Sequence, residues 1–469
     1  MLGRWLGSDA PAIVSASGIV TGDQLLRQAA GASALVDELG LSPGTPLPVL
    51  MDETPTSIAM AVGGAMSRRP LAPLGTKFAV ADLAEIVRHL DTRHLFASPE
   101  RAEMGEAVAA SAGVALHVID DSLPMLDPLE IRCQATDTAL IVHTSGTTGR
   151  AKPVHLRHEP LVARVDVYQE VMGIGPGDRY CSASAFYHTA GSAMIFTVLP
   201  MGVAIIPMDW FSVEGWRVSG RLGVTCSLLV PTMIDILLAE GTLADANPKV
   251  LQYGASPIHP DTLRAAMEAL PNTRFLQIFG QTELSPISYL DHADHLRAAA
   301  GRPDLLTSAG RPIRGTSMRI EQPDDEGIGE IAVRAAHAFV VDEDGWRRTG
   351  DLGLIDDEGY LHLHGRINDR IIRGGENIYP SEIEAALSSH PSVREAAVVG
   401  VPDRRWGETV RAVVVPNDPA APPDLVQLRQ HVARLVAGFK VPSEFVLIDE
   451  LPRNPSGKIL RRALRDRGG

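Results

Sequence analysis

The stretch Ala139-Leu-Ile-Val-His-Thr-Ser-Gly-Thr-Thr-Gly149 joins a short apolar run to a loop of glycines and hydroxyl side chains. An apolar run of this length that stops at a turn signal indicates a buried strand. The glycines that follow let the backbone approach a bound anion closely. The stretch therefore predicts a strand that leads directly into a binding loop.

Similar strands recur on both sides of this stretch, and helical patterns separate them. This alternation predicts an α/β fold, in which helices are layered on largely parallel sheets. Between about residues 310 and 363, short runs separated by acidic residues and glycines predict a small β-rich subdomain. The predicted strands include 47–51, 94–97, 139–142, 203–206, 227–230 and 275–279, and the predicted helices include 57–66, 83–90 and 261–270.

The pattern changes near residues 365–370, which predicts a large N-terminal domain, 1–366, and a small α+β C-terminal domain, 367–469. In the second domain, Ser381 and Glu384 have the spacing of a capping box at the start of a helix. Apolar residues at helical spacing predict another helix over 425–435, with Gly438 as its C-cap. Residues 395–400 and 411–415 are predicted strands.

The composition is that of a globular protein, with 45% hydrophobic and 21% charged residues in 469. The net charge of −14 argues against nucleic acid or an anionic membrane as the main partner. Pro200, Gly202 and Pro207 interrupt the apolar segment 191–208, so we predict a buried helix ending near Leu199 and a strand, and no membrane span. Because the N-terminus has no apolar stretch of signal-peptide length, we expect a cytoplasmic protein.

The loop after residue 143 carries four hydroxyl side chains that can donate hydrogen bonds to phosphate oxygens. These belong to Thr144, Ser145, Thr147 and Thr148, and they are interleaved with Gly146 and Gly149. The loop is not a Walker A motif, because the required lysine spacing is missing. Taken alone, such a run is more often an ordinary turn.

Further stretches make the binding interpretation much stronger. Together they resemble the adenylate-forming (ANL) superfamily of acyl-CoA synthetases, from about residue 40 to the C-terminus. The stretches are Thr144–Gly149 followed by Lys152, Gly254-Ala-Ser-Pro257, Phe279-Gly-Gln-Thr-Glu283, Arg348-Thr-Gly-Asp351, Gly365-Arg366, Arg373-Gly-Gly-Glu376 and Pro452-Arg-Asn-Pro-Ser-Gly-Lys458.

The resemblance implies roles in nucleotide binding. The loop 144–149 and Lys152 would bind phosphates, and Gly254, Ala255 and Ser256 would lie beside the adenine and the acyl chain. In the segment Phe279, Gly280 and Gln281, the aromatic ring would offer its face to adenine. Thr282 would bind the α-phosphate, and Glu283 would hold Mg²⁺. A capping glutamate at the end of a strand is the alternative interpretation of this last segment.

The resemblance also implies a two-step reaction with ATP, a carboxylic acid and coenzyme A. Asp351 and Arg366 would bind the ribose, although a turn aspartate and a surface arginine would look the same in isolation. Lys458 would stabilise the charge that develops as an acyl-adenylate forms, whereas its alternative is a solvated tail lysine. The C-terminal domain would then rotate about Asn368 and present Gly374 and Gly375 to the pantetheine of CoA.

The segment Phe186-Tyr-His188-Thr-Ala-Gly191 is similar to one that lies, in this superfamily, between the acyl pocket and the thiol entry. His188 would gate or orient the substrates there, although a histidine satisfied in the core is an alternative. The residues around the expected pocket are apolar, which favours a neutral, hydrophobic or ring-containing acid over an amino acid. They are Met194, Ala255, Pro257, Ile278, Leu284 and Ile287.

Three substitutions relative to the family pattern leave alternatives open. Ala151, Pro153 and Asn368 stand where the family usually has proline, glycine, and aspartate or lysine. These substitutions leave open an enzyme that accepts preformed acyl-AMP and catalyses only thioester formation. A separate alternative is transfer of the acyl group to a carrier-protein thiol in place of CoA. A noncatalytic nucleotide-binding relative is the weakest alternative, and a homodimer is an open possibility.

Overall fold

The computed structural model describes residues 2–120, 123–128, 131–145, 151–256, 258–453 and 459–466. By their contacts the residues form two compact units, one of 1–317 with 334–347 and one of 318–333 with 348–469. The predicted boundary at residue 366 falls inside the second unit. The boundary of the moving part therefore stays a prediction.

Two β-sheets form the frame of the first unit. The strands are β1 (Pro11–Ser15), β2 (Gly18–Thr21), β3 (Leu47–Leu50), β4 (Leu71–Pro73), β5 (His94–Ala97), β6 (Ala115–Val118), β7 (Thr138–Ser145), β8 (Ala151–Arg157), β9 (Arg179–Ser182), β10 (Ala204–Ile206), β11 (Cys226–Leu229), β12 (Val250–Gly254), β13 (Arg274–Gln281), β14 (Leu284–Leu290) and β15 (Arg311–Pro312). Over the described residues, one sheet has the order β6-β5-β3-β4-β7-β8 and the other β15-β14-β13-β12-β11-β9-β10-β1-β2. Most neighbours are parallel, which confirms the α/β prediction.

Helices cover these sheets. They are α1 (Gly22–Glu38), α2 (Pro55–Met66), α3 (Val80–His89), α4 (Ala102–Ala112), α5 (His158–Met172), α6 (Ser192–Met201), α7 (Val213–Arg221), α8 (Pro231–Ala239), α9 (Pro260–Ala269) and α10 (His292–Ala299). A capping box between Thr21 and Gln24 begins α1. Helix α2 is apolar on all sides and is buried throughout, as expected for a helix inside a core. One core contains buried side chains of both sheets, such as Val142 and Ile205.

The apolar segment 191–208 forms α6 and β10. Pro200 lies in the last turn of α6, where its missing N–H removes a single helical hydrogen bond. The helix therefore continues two residues beyond the predicted end and stops at Gly202, whose φ is 82°. Among the described residues, no helix combines the length and apolar character that crossing a bilayer requires.

The second unit contains two further sheets. The first, of β16 (Ser317–Glu321), β17 (Gly329–Arg334), β18 (Arg347–Ile355) and β19 (Leu361–Arg366), is the predicted β-rich subdomain. The second sheet is built on the long hairpin of β22 and β23. Its elements are β20 (Ile371–Arg373), β21 (Glu376–Ile378), α11 (Pro380–Ser388), β22 (Val393–Asp403), β23 (Gly407–Pro416), α12 (Leu425–Ala433), β24 (Glu444–Leu447) and α13 (Arg461–Arg465).

Two predicted helix ends in the second unit are wrong. Helix α11 starts at Pro380 with Tyr379 as N-cap, so Ser381 already lies within the helix and donates its hydroxyl to the carbonyl of His364. Glu384 instead accepts a hydrogen bond from the backbone N–H of Val398. Helix α12 ends at Ala433, and Gly438 begins a separate 3₁₀ turn.

Candidate active site

Several predicted site segments of the first unit lie at one edge of the larger sheet. Strands β9, β11, β12 and β13 are parallel neighbours, so their carboxyl ends share an edge. His188 follows β9, Gly254 ends β12 and leads into Ala255 and Ser256, and Phe279 lies near the end of β13. Loops at the carboxyl edge of a parallel sheet are where ligands of open α/β folds bind.

The smaller sheet presents the predicted phosphate loop in the same way. Strand β7 is parallel to β4 and contains Thr144 and Ser145 at its carboxyl end. Thr144 pairs with Lys152 of β8, which returns antiparallel. The loop therefore connects two paired strands. Gly146, Thr147, Thr148 and Gly149 lie outside the described residues.

Side-chain contacts bring the carboxyl edges of the two sheets together. The ring of Phe78, after β4, lies 5.4 Å from that of Tyr187, after β9. Lys77 Nζ is 4.0 Å from the ring centre of Trp210, after β10. The carboxyl end of β7 and the segments after β9, β12 and β13 therefore belong to neighbouring edges of one compact unit.

Thr282 and Glu283 form the two-residue connection between β13 and β14. Gln281 pairs with Leu284 across this connection. The backbone carbonyl of Glu283 accepts a hydrogen bond from Phe339 N at 2.9 Å, and its carboxylate lies 3.4 Å from Arg347 Nη2. The sequence analysis did not identify Arg347, because no spacing signal joins two positions so far apart.

The carboxylate of Glu283 fits the donor chemistry of Mg²⁺. Its side chain is 22% exposed, so it can reach a ligand at the sheet edge. Magnesium prefers oxygen ligands and is commonly held by one or two carboxylates together with substrate phosphates. No cluster of three or more metal-binding side chains occurs in the described part of the chain.

Close backbone contacts explain two glycines of the predicted adenine segments. A Cβ on Gly254 would lie 2.3 Å from the carbonyl oxygen of Ile278, on the neighbouring strand. A Cβ on Gly280 would lie 2.8 Å from Ser285 Oγ in the same hairpin. Ala255 has φ of +66°, a conformation that costs energy for a residue with a Cβ and occurs often at functional sites.

His188 lies beside the aromatic ring of Tyr187, with ring centres 4.2 Å apart. Burial lowers the pKa of His188 to about 4, so the imidazole is neutral near pH 7. Its backbone carbonyl accepts a hydrogen bond from Ser192 N at 3.0 Å, which ties it to the start of α6. A neutral imidazole at this position fits the predicted role of His188 as a gate.

In the second unit, the predicted ribose pair is adjacent. Asp351 and Arg366 lie directly opposite each other on β18 and β19, with Arg366 Nε 2.7 Å from Asp351 Oδ1. Thr349 supports this arrangement, because its hydroxyl donates to the Ile331 carbonyl and accepts from Asp351 N.

The predicted CoA-facing glycines form a tight turn. Gly374 and Gly375 connect β20 to β21 with φ of 62° and 95°, as a type I′ hairpin turn requires. Asn368 lies in an exposed 3₁₀ turn after β19, and its carbonyl accepts from Arg465 Nη2 at 3.4 Å. Lys458 lies outside the described residues.

Trp406 is a candidate residue that the sequence analysis missed. Its side chain is 42% exposed and lies beside Gly374, on which a Cβ would be 2.8 Å from the indole ring. The guanidinium groups of Arg405 and Arg373 are 4.8 and 6.0 Å from the centre of that ring. In the sequence, the feature that could have identified Trp406 is a single tryptophan directly after Arg404 and Arg405 in a short loop.

The chain belongs to the AMP-binding enzyme family. The model of the family "AMP-binding enzyme" matches residues 6–340. The model of the "AMP-binding enzyme C-terminal domain" matches residues 382–458. The protein is therefore an acid–thiol ligase of the ATP-dependent, AMP-forming type, as predicted.

Curated relatives and solved structures agree with this assignment. The chain is 33% identical to a sulfoacetate–CoA ligase of Cupriavidus necator, covering 91% of this chain and 88% of the relative. It is 30% identical to the fatty acid–[acyl-carrier-protein] ligase ScoC of Streptomyces coeruleorubidus, over 97% and 93%. Its fold is similar to that of the o-succinylbenzoate CoA synthetase MenE of Bacillus subtilis in complex with the acyl-adenylate intermediate OSB-AMP, with a TM-score of 0.85, 25% identity and coverage of 100% and 97%.

Proposed function

We propose that the protein converts a carboxylic acid with a hydrophobic acyl part to its CoA thioester through an acyl-adenylate. The observation that supports this best is the common sheet edge that carries His188, Gly254–Ser256 and Phe279–Glu283. Apolar residues predicted for the acyl pocket are buried, which favours an apolar acyl group. These include Met194, Leu284 and Ile287.

In the first step, a carboxylate oxygen of the acid would attack the α-phosphorus of ATP, and the bond to pyrophosphate would break. Thr282 would donate a hydrogen bond to the α-phosphate, and Lys458 would stabilise the added negative charge. Bound Mg²⁺, held by Glu283, would supply further neutralisation of the phosphates. Asp351 would accept hydrogen bonds from the ribose hydroxyls while Arg366 fixes its orientation.

In the second step, the thiolate of CoA would attack the acyl carbonyl, and AMP would leave. We propose that residues 367–469 rotate about Asn368 between the steps, replacing Lys458 by the turn at Gly374 and Gly375. The exposed ring of Trp406, with its two arginines, has the chemistry to stack on the adenine of CoA and contact its phosphates.

Substitution of Lys458 by alanine tests the assignment of the two steps. We expect Lys458→Ala to slow acyl-AMP formation about 10²-fold or more, because a main electrostatic stabiliser is lost. Thioester formation from supplied acyl-AMP should be largely preserved. Lys249→Ala, at an exposed lysine paired with Asp178, is the control and should leave both steps unchanged. Equal losses in both steps would contradict the assignment.

Transfer to a carrier-protein thiol is a second candidate, which the name of the Streptomyces relative favours. Both acceptors expose the same pantetheine thiol, so the chemistry of the second step is identical. Product formation with free CoA and with a loaded carrier protein distinguishes them. Faster transfer to CoA supports the proposal. Transfer to the carrier protein alone would show that the carrier-protein thiol, and not CoA, is the acceptor.

A further inference from the structure

Arg164 of α5 is a buried cation without an acidic partner among the described residues. Its side chain is 1% exposed. Nη2 has only two long contacts, 3.5 Å to the Tyr168 hydroxyl and 3.4 Å to Met194 Sδ. Nε and Nη1 are buried and have no hydrogen-bond acceptor in the described part of the chain.

The other buried arginines differ from Arg164 in this respect. Arg69 contacts Asp37 at 2.6 Å and donates to the Leu41 carbonyl. Arg411 contacts Glu444 at 2.8 Å. Burying a guanidinium is unfavourable unless an anion and hydrogen-bond acceptors compensate for lost hydration. A bound anion would therefore compensate the buried charge of Arg164.

None of the described contacts of Arg164 is with a negatively charged group. Tyr168 places its ring 4.9 Å from the guanidinium. His337 is close enough for the charge of Arg164 to contribute to lowering its pKa, although burial is the larger cause. The His337 imidazole is therefore neutral near pH 7 and is bonded through Nε2 to the Pro286 carbonyl at 2.6 Å.

The position of Arg164 relates it to the predicted acyl pocket. Met194, which it contacts, lies in the first turn of α6, after the segment that contains His188 and Gly191. Met194 belongs to a buried apolar cluster, and Ile278, another predicted pocket residue, packs against that cluster. A methionine side chain is flexible and can move aside to let a ligand reach the guanidinium.

We propose that Arg164 binds an anionic group at the far end of the acyl chain, a second carboxylate or a sulfonate. This inference rests on the proposed function and refines its substrate class. The acid would have an apolar middle part and two negatively charged ends, one activated by ATP and one bound by Arg164. The guanidinium offers parallel N–H donors that match such groups in a bidentate contact. The prediction of a neutral acid used residues of α6, β13, β14 and the segment after β12, and none of α5.

Paired acids of equal length provide the test. The wild-type protein is assayed for CoA-dependent AMP release with hexanedioate against hexanoate, decanedioate against decanoate, and the corresponding ω-sulfonates. We expect kcat/KM to favour one class of doubly charged acid about tenfold or more. Arg164→Met should abolish this preference by raising KM for the doubly charged acid, with the plain acid changed by no more than about twofold.

Thermal unfolding gives a readout that does not depend on activity. Because Arg164 has no acidic partner among the described residues, Arg164→Met should keep or raise the Tm of the free protein. The preferred doubly charged acid should raise the Tm of the wild type and not of the variant. Arg69→Met is the matched control: it removes a paired buried arginine and should lower Tm.

The results separate this inference from the proposed function. If plain acids are used as well as doubly charged ones, or if Arg164→Met retains the preference, the inference is overturned while the ligase activity stands. A large fall in Tm for Arg164→Met also overturns it, because Arg164 would then be a structural cation. If no acid of any series yields AMP and thioester, the proposed function itself fails.

Discussion

At the scale of single residues, Gly254 shows why a motif glycine is required. The sequence motif placed it beside the nucleotide, and the structure shows that the adjacent strand already excludes a side chain. We expect Gly254→Ala to lower the free energy of unfolding by about 1–3 kcal/mol, because the new methyl group would meet the Ile278 carbonyl at 2.3 Å.

Urea denaturation measures this effect. Gly175→Ala is the control, because a Cβ there meets no atom within 4 Å and should change stability by no more than about 0.5 kcal/mol. Equal stabilities of the two variants would show that the strands separate easily.

The burial of Glu53 predicts that the stability of the protein depends on pH. It follows β3, is 3% exposed, and accepts one hydrogen bond, from Met208 N at 3.4 Å. Burial raises the pKa of Glu53 to about 8, above its ordinary value of 4.5. Between these values the folded state holds a proton that the unfolded state has lost, so its contribution to stability falls as pH rises.

Replacing Glu53 by glutamine removes this dependence. Relative to wild type, Glu53→Gln should gain stability between pH 5 and pH 8, by up to about 1.4 kcal/mol per pH unit. Denaturant unfolding at several pH values measures the difference. A difference that stays constant over this range would show that Glu53 ionises normally in the folded protein.

Some residue contacts were predictable and others were not. Asp351 and Arg366 could be assigned to one function because each lies in a recognisable motif. Arg164 lies in no such motif, and Glu283, the partner of Arg347, is distant from it in sequence. Their environments are set by tertiary packing, which no local spacing encodes.

At the scale of elements, the strands were predicted best. The run predicted at residues 94–97 has the same bounds as strand β5. A short buried strand is easy to delimit in the sequence, because its apolar run stops where polar or turn-forming residues begin. The capping box at Ser381 failed because Pro380 is well suited to the first helical position and moved the helix start upstream.

Two hydrogen bonds within the second unit, made by Tyr379 and Ser381 at the start of α11, predict how mutations there would affect the two half-reactions. Tyr379 donates its hydroxyl to Asp324, and Ser381 donates to the His364 carbonyl at 3.0 Å. Rotation about Asn368 would have to break both bonds. We therefore expect Tyr379→Phe to change the two half-reactions in opposite directions, with their ratio shifted about tenfold.

The half-reactions are measured separately, as acyl-AMP formation and as thioester formation from acyl-AMP. Ser381→Ala should shift the ratio in the same direction, because it removes a bond at the same contact. If both steps change by the same factor in Tyr379→Phe, the contact has no part in rotation.

At the scale of the whole molecule, the sequence predicted the α/β class and a separate C-terminal part. It did not predict that residues 318–333 and 348–366 pack with that part, because long-range contacts decide this division. The family assignment needed several motifs in the correct order. The acyl group could not be predicted, since the predicted pocket residues come from separate elements.

We propose that the protein forms an acyl-adenylate before it forms a thioester. Acid-dependent exchange of labelled pyrophosphate into ATP, measured without CoA, tests this claim most directly. We expect exchange that requires both the acid and Mg²⁺, and that disappears in Lys458→Ala. Thioester formation from acid and ATP with no acid-dependent exchange under any of these conditions would contradict the account.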